Sequence, residues 1–543
     1  MREGNGTGVT VIRFVDGTLT LHEAAPAVLE ALGPLAVADP RIGGHRARAC
    51  DYAEILRRLH GRHAYRDEAR QYRELDLNEH ESLPLREYQR LALESWGVGR
   101  KRGVVVLPTG AGKTYVALKA MLMAKRSTLV LAPTIDLVQQ WAGDLARRLQ
   151  VPIGIYGGGE KRLEEITVST YDSAVLFMPF HGNRFGLLVF DECHHLPAMV
   201  TAGAAEQCLA PFRLGLTATP ERTDGQHARL DDLIGPEVHR SHIGELEGRF
   251  LASYQAEVLE VALDPDEAVA YREARAEYVA FIRAQGIDFS APDGWAQFLA
   301  AAGRDPDGRK AMRAYREQRR LARSGRAKLR ALWQLLREHA GERCLVFTDD
   351  NDTAYRIGSE FVLPVLTHHT KGGERKRLLD AFRAGTLPVL VTSKVLNEGV
   401  DVPEASVGII VSGSGSVREH VQRLGRLLRP KQGKTAILYE LIAAGTAEAY
   451  TSQRRRSHAA FGEQVRNGEQ VRSGEQVRSG EQVRNGEQVR SGEQIRNRGE
   501  VRSYGPIRMG EPSPKHREDP GDDGVRDADA EWPEDLFSHA DPD

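Results

Sequence analysis

The chain has few of the residues that staple or anchor a protein. Four cysteines, Cys50, Cys193, Cys208 and Cys344, are scattered over 543 residues with no CxxC pair. That spacing argues against a zinc site, a disulfide framework and a cysteine-ligated iron–sulfur cluster, and points to a reducing compartment. No apolar run reaches the roughly 18 residues of a membrane span, and the start shows no secretory pattern. A soluble, cytoplasmic, prokaryotic protein with no membrane partner is expected. Net charge is also nearly absent, at −2 overall, so the chain as a whole does not attract polyanions. The average hides an asymmetry. From Tyr504 to the end there are 12 acidic residues against 4 basic ones, which leaves the rest of the chain near +6. A mildly basic body is compatible with nucleic acid.

What is present is a large hydrophobic share, 41%, enough for real cores in three or four domains. Residues 1–80 read as a small α+β module. Val9–Phe14 and Thr18–Leu21 flank Asp16-Gly17, a hairpin signal, and a helix is expected over Tyr52–Leu59. Over 81–245, short apolar strands at 104–107, 128–132, 166–169, 187–190 and 213–217 alternate with helices. This predicts a parallel, doubly wound sheet whose ligands bind at the carboxyl ends of the strands. A helical stretch comes next, at 266–338. Its aromatic stripe (Tyr271, Tyr278, Phe281, Ile282, Trp295, Phe298, Leu299) reads as core, with many arginines between that are candidates for a phosphate backbone. Alternation returns at 344–348, 388–392, 408–412 and 435–439, a second sheet domain within 246–460. Six near-identical hexapeptides, Gly-Glu-Gln-Val-Arg-Asn/Ser, run from Gly462 to Asn497. One branched apolar residue per six buries too little to offset chain entropy, so 461–503 reads as a disordered linker before an acidic disordered tail at 504–543.

Three motifs carry chemistry. Leu107-Pro-Thr-Gly-Ala-Gly-Lys-Thr114 comes after Val104-Val105-Val106 and leads into a helical pattern, so it reads as strand, glycine loop, helix. Thr109, Gly110, Ala111 and Gly112 form the loop whose amides wrap an anion. Lys113 supplies a charge for the β- and γ-phosphates, and Thr114 a hydroxyl for Mg²⁺. Leu107 stands where the general P-loop pattern has its first glycine. The second motif, Leu187-Leu-Val-Phe-Asp-Glu-Cys-His-His195, brings two carboxylates to a strand end. Asp191 is expected to hold Mg²⁺ and Glu192 to activate water, with His194 relaying to a partner motif. The third, Gln422-Arg-Leu-Gly-Arg-Leu-Leu-Arg429, sets arginines three apart on one helical face. Arg426 and Arg429 are suited to clamp a γ-phosphate as charge develops.

In order along the chain these motifs resemble the superfamily 2 helicases. Leu85-Arg-Glu-Tyr-Gln89 is similar to the adenine-side motif, which implies nucleotide contacts for Arg86 and Gln89. Ala132-Pro-Thr134, Ser169-Thr-Tyr-Asp-Ser173, Leu216-Thr-Ala-Thr-Pro220 and Asn397-Glu-Gly-Val-Asp-Val-Pro403 match further motifs. They imply strand contacts for Thr134, Thr170 and Thr392, coupling roles for Thr217, Thr219 and Gln422, and nucleotide contacts for Gly399 and Asp401. Within that superfamily Cys193-His-His-Leu-Pro-Ala198, Phe212–Thr219, Val411–Ser416 and Leu438–Ile442 resemble the XPB family, particularly its short archaeal and bacterial forms. The likeness spans about residues 1–460. It implies two RecA-like domains in tandem, an N-terminal damage-recognition domain and a helical thumb near 266–325. It also implies ATP and Mg²⁺ as cofactors, 3′-to-5′ movement on single-stranded or forked DNA, and a nucleoid setting when bound. The chain is expected to be a monomer, and archaeal relatives work with a structure-specific nuclease. One departure stands out. The family has Arg-Glu-Asp after the threonine motif, where this chain has Arg222-Thr223-Asp224, so strand separation is weakened in expectation while ATP hydrolysis is not. Three alternatives stay open: a duplex translocase that never unwinds, an RNA motor, and an ATP-gated scaffold that recruits a nuclease.

Overall fold

A computed structural model describes residues 9–221, 225–246, 253–289, 291, 293–304, 306–393, 405–413, 435–448 and 502–504. The chain divides into two compact units, the first holding residues 1–251 and the second beginning at Ala252. Among the described residues no helix is long and apolar enough to cross a membrane.

The first unit opens with strands β1 (Thr10–Val15), β2 (Thr18–His22), β3 (Val37–Asp39), β4 (Gly44–Arg48) and β5 (Tyr65–Asp67). They form one sheet in the order β3-β4-β2-β1-β5. The expected hairpin is there. Asp16 and Gly17 take φ of 48° and 74°, the positive values that a two-residue turn between twisted strands requires. Helices α1 (Pro26–Leu32) and α2 (Tyr52–Leu59) cover one face, burying Val28, Leu32, Tyr52, Ile55 and Leu59 on Ile12, Leu19 and Leu21.

This module shares its core with the sheet domain that comes after it in the chain. Leu209, from that domain, sits inside the module's core. Gly17 N donates to Pro179 O (2.9 Å), Gln71 N to Asn183 O (3.0 Å) and Asn183 Nδ2 to Ala69 O (2.9 Å). A Cβ at Gly17 would lie 2.9 Å from Gln207 Cγ, so the turn is seated closely on its neighbour.

The large sheet of the first unit contains β6 (Arg102–Val106), β7 (Thr128–Ala132), β8 (Ile153–Gly157), β9 (Glu160–Arg162), β10 (Ile166–Thr170), β11 (Leu187–Asp191), β12 (Phe212–Thr217) and β13 (Glu237–Arg240). Its order is β13-β6-β12-β11-β7-β10-β8-β9, and every pairing is parallel except β8 with β9. Helices α3 (Glu87–Val98), α4 (Lys113–Ala124), α5 (Ile135–Leu149) and α6 (Tyr171–His181) belong to this domain. β7 and β11 are buried along their whole length, as unbroken apolar runs in a sheet covered on both faces must be. The five expected strands are found to within two residues. β8, β9 and β13 are additional.

A buried cation ties this sheet to the loops below it. Arg213 on β12 has no solvent exposure. Its guanidinium donates to Ala210 O (3.2 Å), Leu233 O (2.5 Å), Ala205 O (3.0 Å) and Cys208 O (2.9 Å). Its own carbonyl accepts from Trp96 Nε1 at 2.9 Å.

The second unit is a fully parallel sheet of β14 (Ser253–Val261), β15 (Cys344–Phe347), β16 (Val365–Leu366), β17 (Val389–Thr392), β18 (Val407–Ile410), β19 (Thr435–Ala443) and β20 (Arg502–Tyr504), in the order β16-β17-β15-β18-β19-β14-β20. The expected helical thumb is three helices, Pro265–Gln285, Gly294–Arg304 and Pro306–Ser324. The next helix, Arg326–Glu338, packs on the sheet. The aromatic stripe is largely core, as its spacing predicts. Tyr278, Ile282 and Phe298 are buried together and Trp295 and Phe281 pack on them, while Tyr271 joins Leu321 and Ala443 at the root of the thumb and Leu299 is exposed. The hexapeptides and the acidic tail lie outside the described residues except Arg502–Tyr504, whose backbone pairs in parallel with Leu259–Val261.

Candidate nucleotide and strand sites

The glycine loop is built as its sequence requires. β6 delivers the chain to Leu107, Gly110 and Gly112 take φ of 84° and 80°, and α4 starts at Lys113. Positive φ at two positions lets successive amides face one anion, with the helix N-terminus behind them. The loop is held from beneath by α3. Tyr88 Oη donates to Ala111 O (2.7 Å) and Gln89 Nε2 donates to the same carbonyl (3.0 Å), while Gln89 Oε1 accepts from Arg86 N (3.1 Å). Arg86 Nη1 donates to Tyr88 Oη at 3.1 Å. Gln89, expected to meet adenine, therefore also buttresses the phosphate loop.

Gly112 has two reasons to be glycine, because a Cβ there would lie 2.7 Å from Gln89 Nε2. Gly112→Ala is expected to raise the KM for ATP at least tenfold. The melting temperature should change by no more than the few degrees that a single left-handed residue costs, about 1–2 kcal/mol. Steady-state ATPase and a thermal melt check both.

Carboxylates stand at the end of β11. Asp191 Oδ2 accepts from Trp141 Nε1 (2.8 Å), Oδ1 accepts from Glu192 N (3.1 Å), and the Asp191 carbonyl accepts from Tyr171 Oη (2.8 Å). Burial, and then the Glu192 charge, raises the Asp191 carboxyl above the usual carboxylate range. Glu192 has φ 47° and ψ 55°, a left-handed conformation rare for a side-chain-bearing residue. This turn sets Glu192 Oε1 3.3 Å from Lys113 Nζ and Oε2 3.6 Å from His194 Nδ1. His194, fully buried, has Nδ1 3.1 Å from Thr217 Oγ1, and Thr217 Oγ1 donates to Thr219 O (3.1 Å) and accepts from Thr219 N (3.2 Å). A continuous polar chain thus runs from the phosphate loop through Glu192 and His194 to the end of β12.

The residues present fit a magnesium nucleotide. Thr109 Oγ1 and Thr219 Oγ1 are buried without a hydrogen-bond partner among the described residues. Asp191 is a buried carboxylate, and Thr114 is the second residue of the helix heading the loop. The supporting contacts of Trp141, Tyr88 and Tyr171 are not legible in the sequence. Nothing in the sequence pairs the Trp141 indole N–H with Asp191.

The expected strand contacts divide. Thr134 and Thr170 each cap a helix. Leu137 N donates to Thr134 Oγ1 (3.4 Å), Ser173 N donates to Thr170 Oγ1 (3.2 Å), and Thr170 Oγ1 donates to Ser173 Oγ (2.9 Å). Beside them Gly157 and Gly158 turn with φ of 146° and 60°. A Cβ on Gly157 would lie 3.5 Å from Thr170 Oγ1, and one on Gly158 2.6 Å from Ile135 Cδ1. Two helix N-termini and a glycine turn therefore converge. Thr392, in the second unit, is fully buried, and its hydroxyl donates to Ser393 O (3.0 Å), so it offers no hydroxyl to a phosphate in this conformation. Arg222, Asp224, Gly399, Asp401, Gln422, Arg426 and Arg429 lie outside the described residues.

Residues 12–69 match the Xeroderma pigmentosum group B helicase damage recognition domain, 82–222 the type III restriction enzyme res subunit, and 310–464 the ERCC3/RAD25/XPB C-terminal helicase. The DNA 3′-5′ translocase XPB2 of Sulfurisphaera tokodaii is 42% identical over 376 residues, covering 69% of this chain and 85% of that protein. This chain belongs to the XPB helicase family. It is an XPB-type, ATP-dependent helicase or translocase. The DNA 3′-5′ helicase XPB of Mycobacterium tuberculosis is 33% identical over 397 residues, covering 70% of this chain and 65% of that protein. Among solved structures, the helicase domain of Pyrococcus furiosus Hef is 20% identical, with a TM-score of 0.48 and coverage of 68% of this chain and 98% of that one.

Proposed function

We propose that this XPB-family chain is a DNA-stimulated ATPase that moves 3′ to 5′ along DNA. The observation carrying the mechanism is the Lys113–Glu192–His194–Thr217 chain, because it joins a phosphate loop to a water-activating carboxylate and that carboxylate to a second motif. The amides of 110–114 and Lys113 bind the phosphates. Gln89, whose amide nitrogen keeps one N–H beyond its bond to Ala111, reads the adenine edge with Arg86 alongside. The Thr114 hydroxyl and Asp191 carboxylate would hold Mg²⁺, which would supply positive charge against the phosphate oxygens. Glu192 orients the attacking water and takes its proton. Arg426 and Arg429 supply guanidinium charge against the developing negative charge, Gly399 and Asp401 contact the nucleotide, and Gln422 takes a coupling role.

Loss of the γ-phosphate changes what faces Glu192, and His194 hands that change to Thr217 and Thr219. Thr134, Thr170 and the helix N-termini they cap hold the phosphate backbone without reading sequence. Arg222 and Asp224 would act where strands part, and Thr392 would require the end of β17 to open. The chain acts in DNA repair or transcription-linked opening, as a monomer in the cytoplasm. A structure-specific nuclease is its expected partner.

ATPase titrations with single-stranded, duplex and forked DNA, and with RNA, test it. Stimulation by DNA is expected, and preferential stimulation by RNA, or none by DNA, would refute it. Arg222-Thr223-Asp224 favours one second reading, translocation on duplex without unwinding. Triplex displacement in the absence of strand displacement would identify that mode.

A further inference from the structure

The outer edge of β14 is only partly covered. β14 pairs with β19 along all nine of its residues, Ser253–Val261. On its other side β20 pairs with the last three alone: Arg502 stands opposite Leu259, Ser503 opposite Glu260 and Tyr504 opposite Val261. Ser253–Val258 have no strand on that side among the described residues. A bare strand edge is a template for another backbone. The bare length is six residues, that of one hexapeptide.

β20 itself belongs to the repeat. Val501-Arg502-Ser503 lies 36 residues after Val465-Arg466-Asn467, in phase with every copy between them, and is a seventh copy of that tripeptide. Side chains on a strand alternate with a period of two, so a slide of six residues restores each position to the same face. It also restores the residue types opposite Val258, Leu259 and Glu260. Two differences separate the registers, and they pull in opposite directions. Opposite Val261 the last copy has Tyr504, a residue type that favours strands, whereas upstream copies bring Arg498 or a glycine there. Continued back along the edge, the last copy would set Glu500 against Glu257, two like charges, whereas every upstream copy brings a glutamine.

We propose that the hexapeptides are interchangeable strands for the β14 edge, paired one at a time within their own chain, with Tyr504 favouring the resting register. Chain length permits this. Between Glu448 and the first copy's Arg466 there are still 17 residues, and a crossover between parallel strands needs about a dozen. Because the pairing is parallel, the chain after Tyr504 leaves at the carboxyl end of β14. Each step of one repeat passes about 20 Å of extended chain across that end, lengthening the acidic segment and shortening the loop before it.

Facing residues of paired strands lie within reach of a disulfide, and the four native cysteines are buried. In the full-length protein Glu260→Cys, at an exposed position, is combined in turn with Ser503→Cys, Asn497→Cys, Ser491→Cys and the out-of-phase Gln494→Cys. Oxidation is followed on non-reducing gels, in variants of wild-type melting temperature. All three in-phase pairs are expected to give a monomeric disulfide, fastest with Ser503→Cys. Gln494→Cys should react at least tenfold more slowly than Ser491→Cys and Asn497→Cys, which bracket it in tether length. Adding Tyr504→Gly should shift the ratio from Ser503→Cys towards Ser491→Cys about fivefold. Gln494→Cys reacting as fast as its neighbours would mean collision along a tether without register. Reaction of Ser503→Cys alone would mean a fixed strand, and disulfide dimers in place of monomers would give the edge to a second copy. Each of these results would overturn the proposal.

Discussion

Glu192→Gln is expected to lower DNA-stimulated kcat by about 10²–10⁴, the range for removing a positioned general base, while ATP still binds with a KM within a few-fold of wild type. Gln keeps the size and the hydrogen-bonding oxygen of Glu, so the left-handed turn at 192 and the contact with His194 can persist. What is lost is the acceptor for the proton of water. The 3.3 Å ion pair with Lys113 is lost too, and because the Lys113 ammonium is buried, a thermal melt should show some loss of stability alongside the loss of turnover. Lys113→Ala is the complementary case, because it removes the charge that meets the phosphates and should therefore weaken ATP binding itself. Single-turnover and steady-state ATPase, with nucleotide binding measured separately, distinguish the two. Normal turnover in purified Glu192→Gln would refute the role given to this carboxylate.

Arg213→Leu is expected to produce the largest loss of stability in the first unit. The side chain touches no nucleotide residue, yet it satisfies four carbonyls while having no solvent exposure of its own. Each buried acceptor left unpaired costs about 1–3 kcal/mol, so a total above about 4 kcal/mol is expected, against a typical domain stability of about 5–15 kcal/mol. For a unit of this size that lowers the melting temperature by about 10 °C or more. Arg213→Lys, with three donors in place of the planar fork, should recover only part of the loss. Calorimetry checks both. A Leu variant melting within about 2 °C of wild type would show that water or local rearrangement replaces the guanidinium.

Arg213 also shows where sequence reasoning stops. As residue types, Phe212-Arg-Leu-Gly-Leu-Thr217 announce a strand, and an arginine at its start reads as exposed. Its burial is decided by the short helices Gly203–Glu206 and Arg229–Leu233 and the segment 207–210, which only the fold brings beneath it. The legible strands, such as β7 and β11, are continuous apolar runs whose composition alone dictates burial on both faces. The others are of a different kind. Glu237-Val-His-Arg240 is a polar edge strand, and Ser253–Val261 alternates polar and apolar residues and pairs with a partner, β19, far along the chain. Lys113, Asp191 and Glu192 are legible because phosphate and metal chemistry restricts the residue types allowed there. The contacts from Trp141, Tyr171 and Tyr88 are not, since any of several aromatic residues could have supplied them and only tertiary register selects these. Thr392 illustrates the converse: a residue type suited to a strand contact has its hydroxyl turned inward.

The shared core around Leu209, and the amide of Gly17 bonded to Pro179, have a mechanical consequence. The N-terminal module cannot swing on a tether. It is fixed to the lobe that carries the glycine loop, so in the proposed motor cycle whatever the module touches would move together with that lobe.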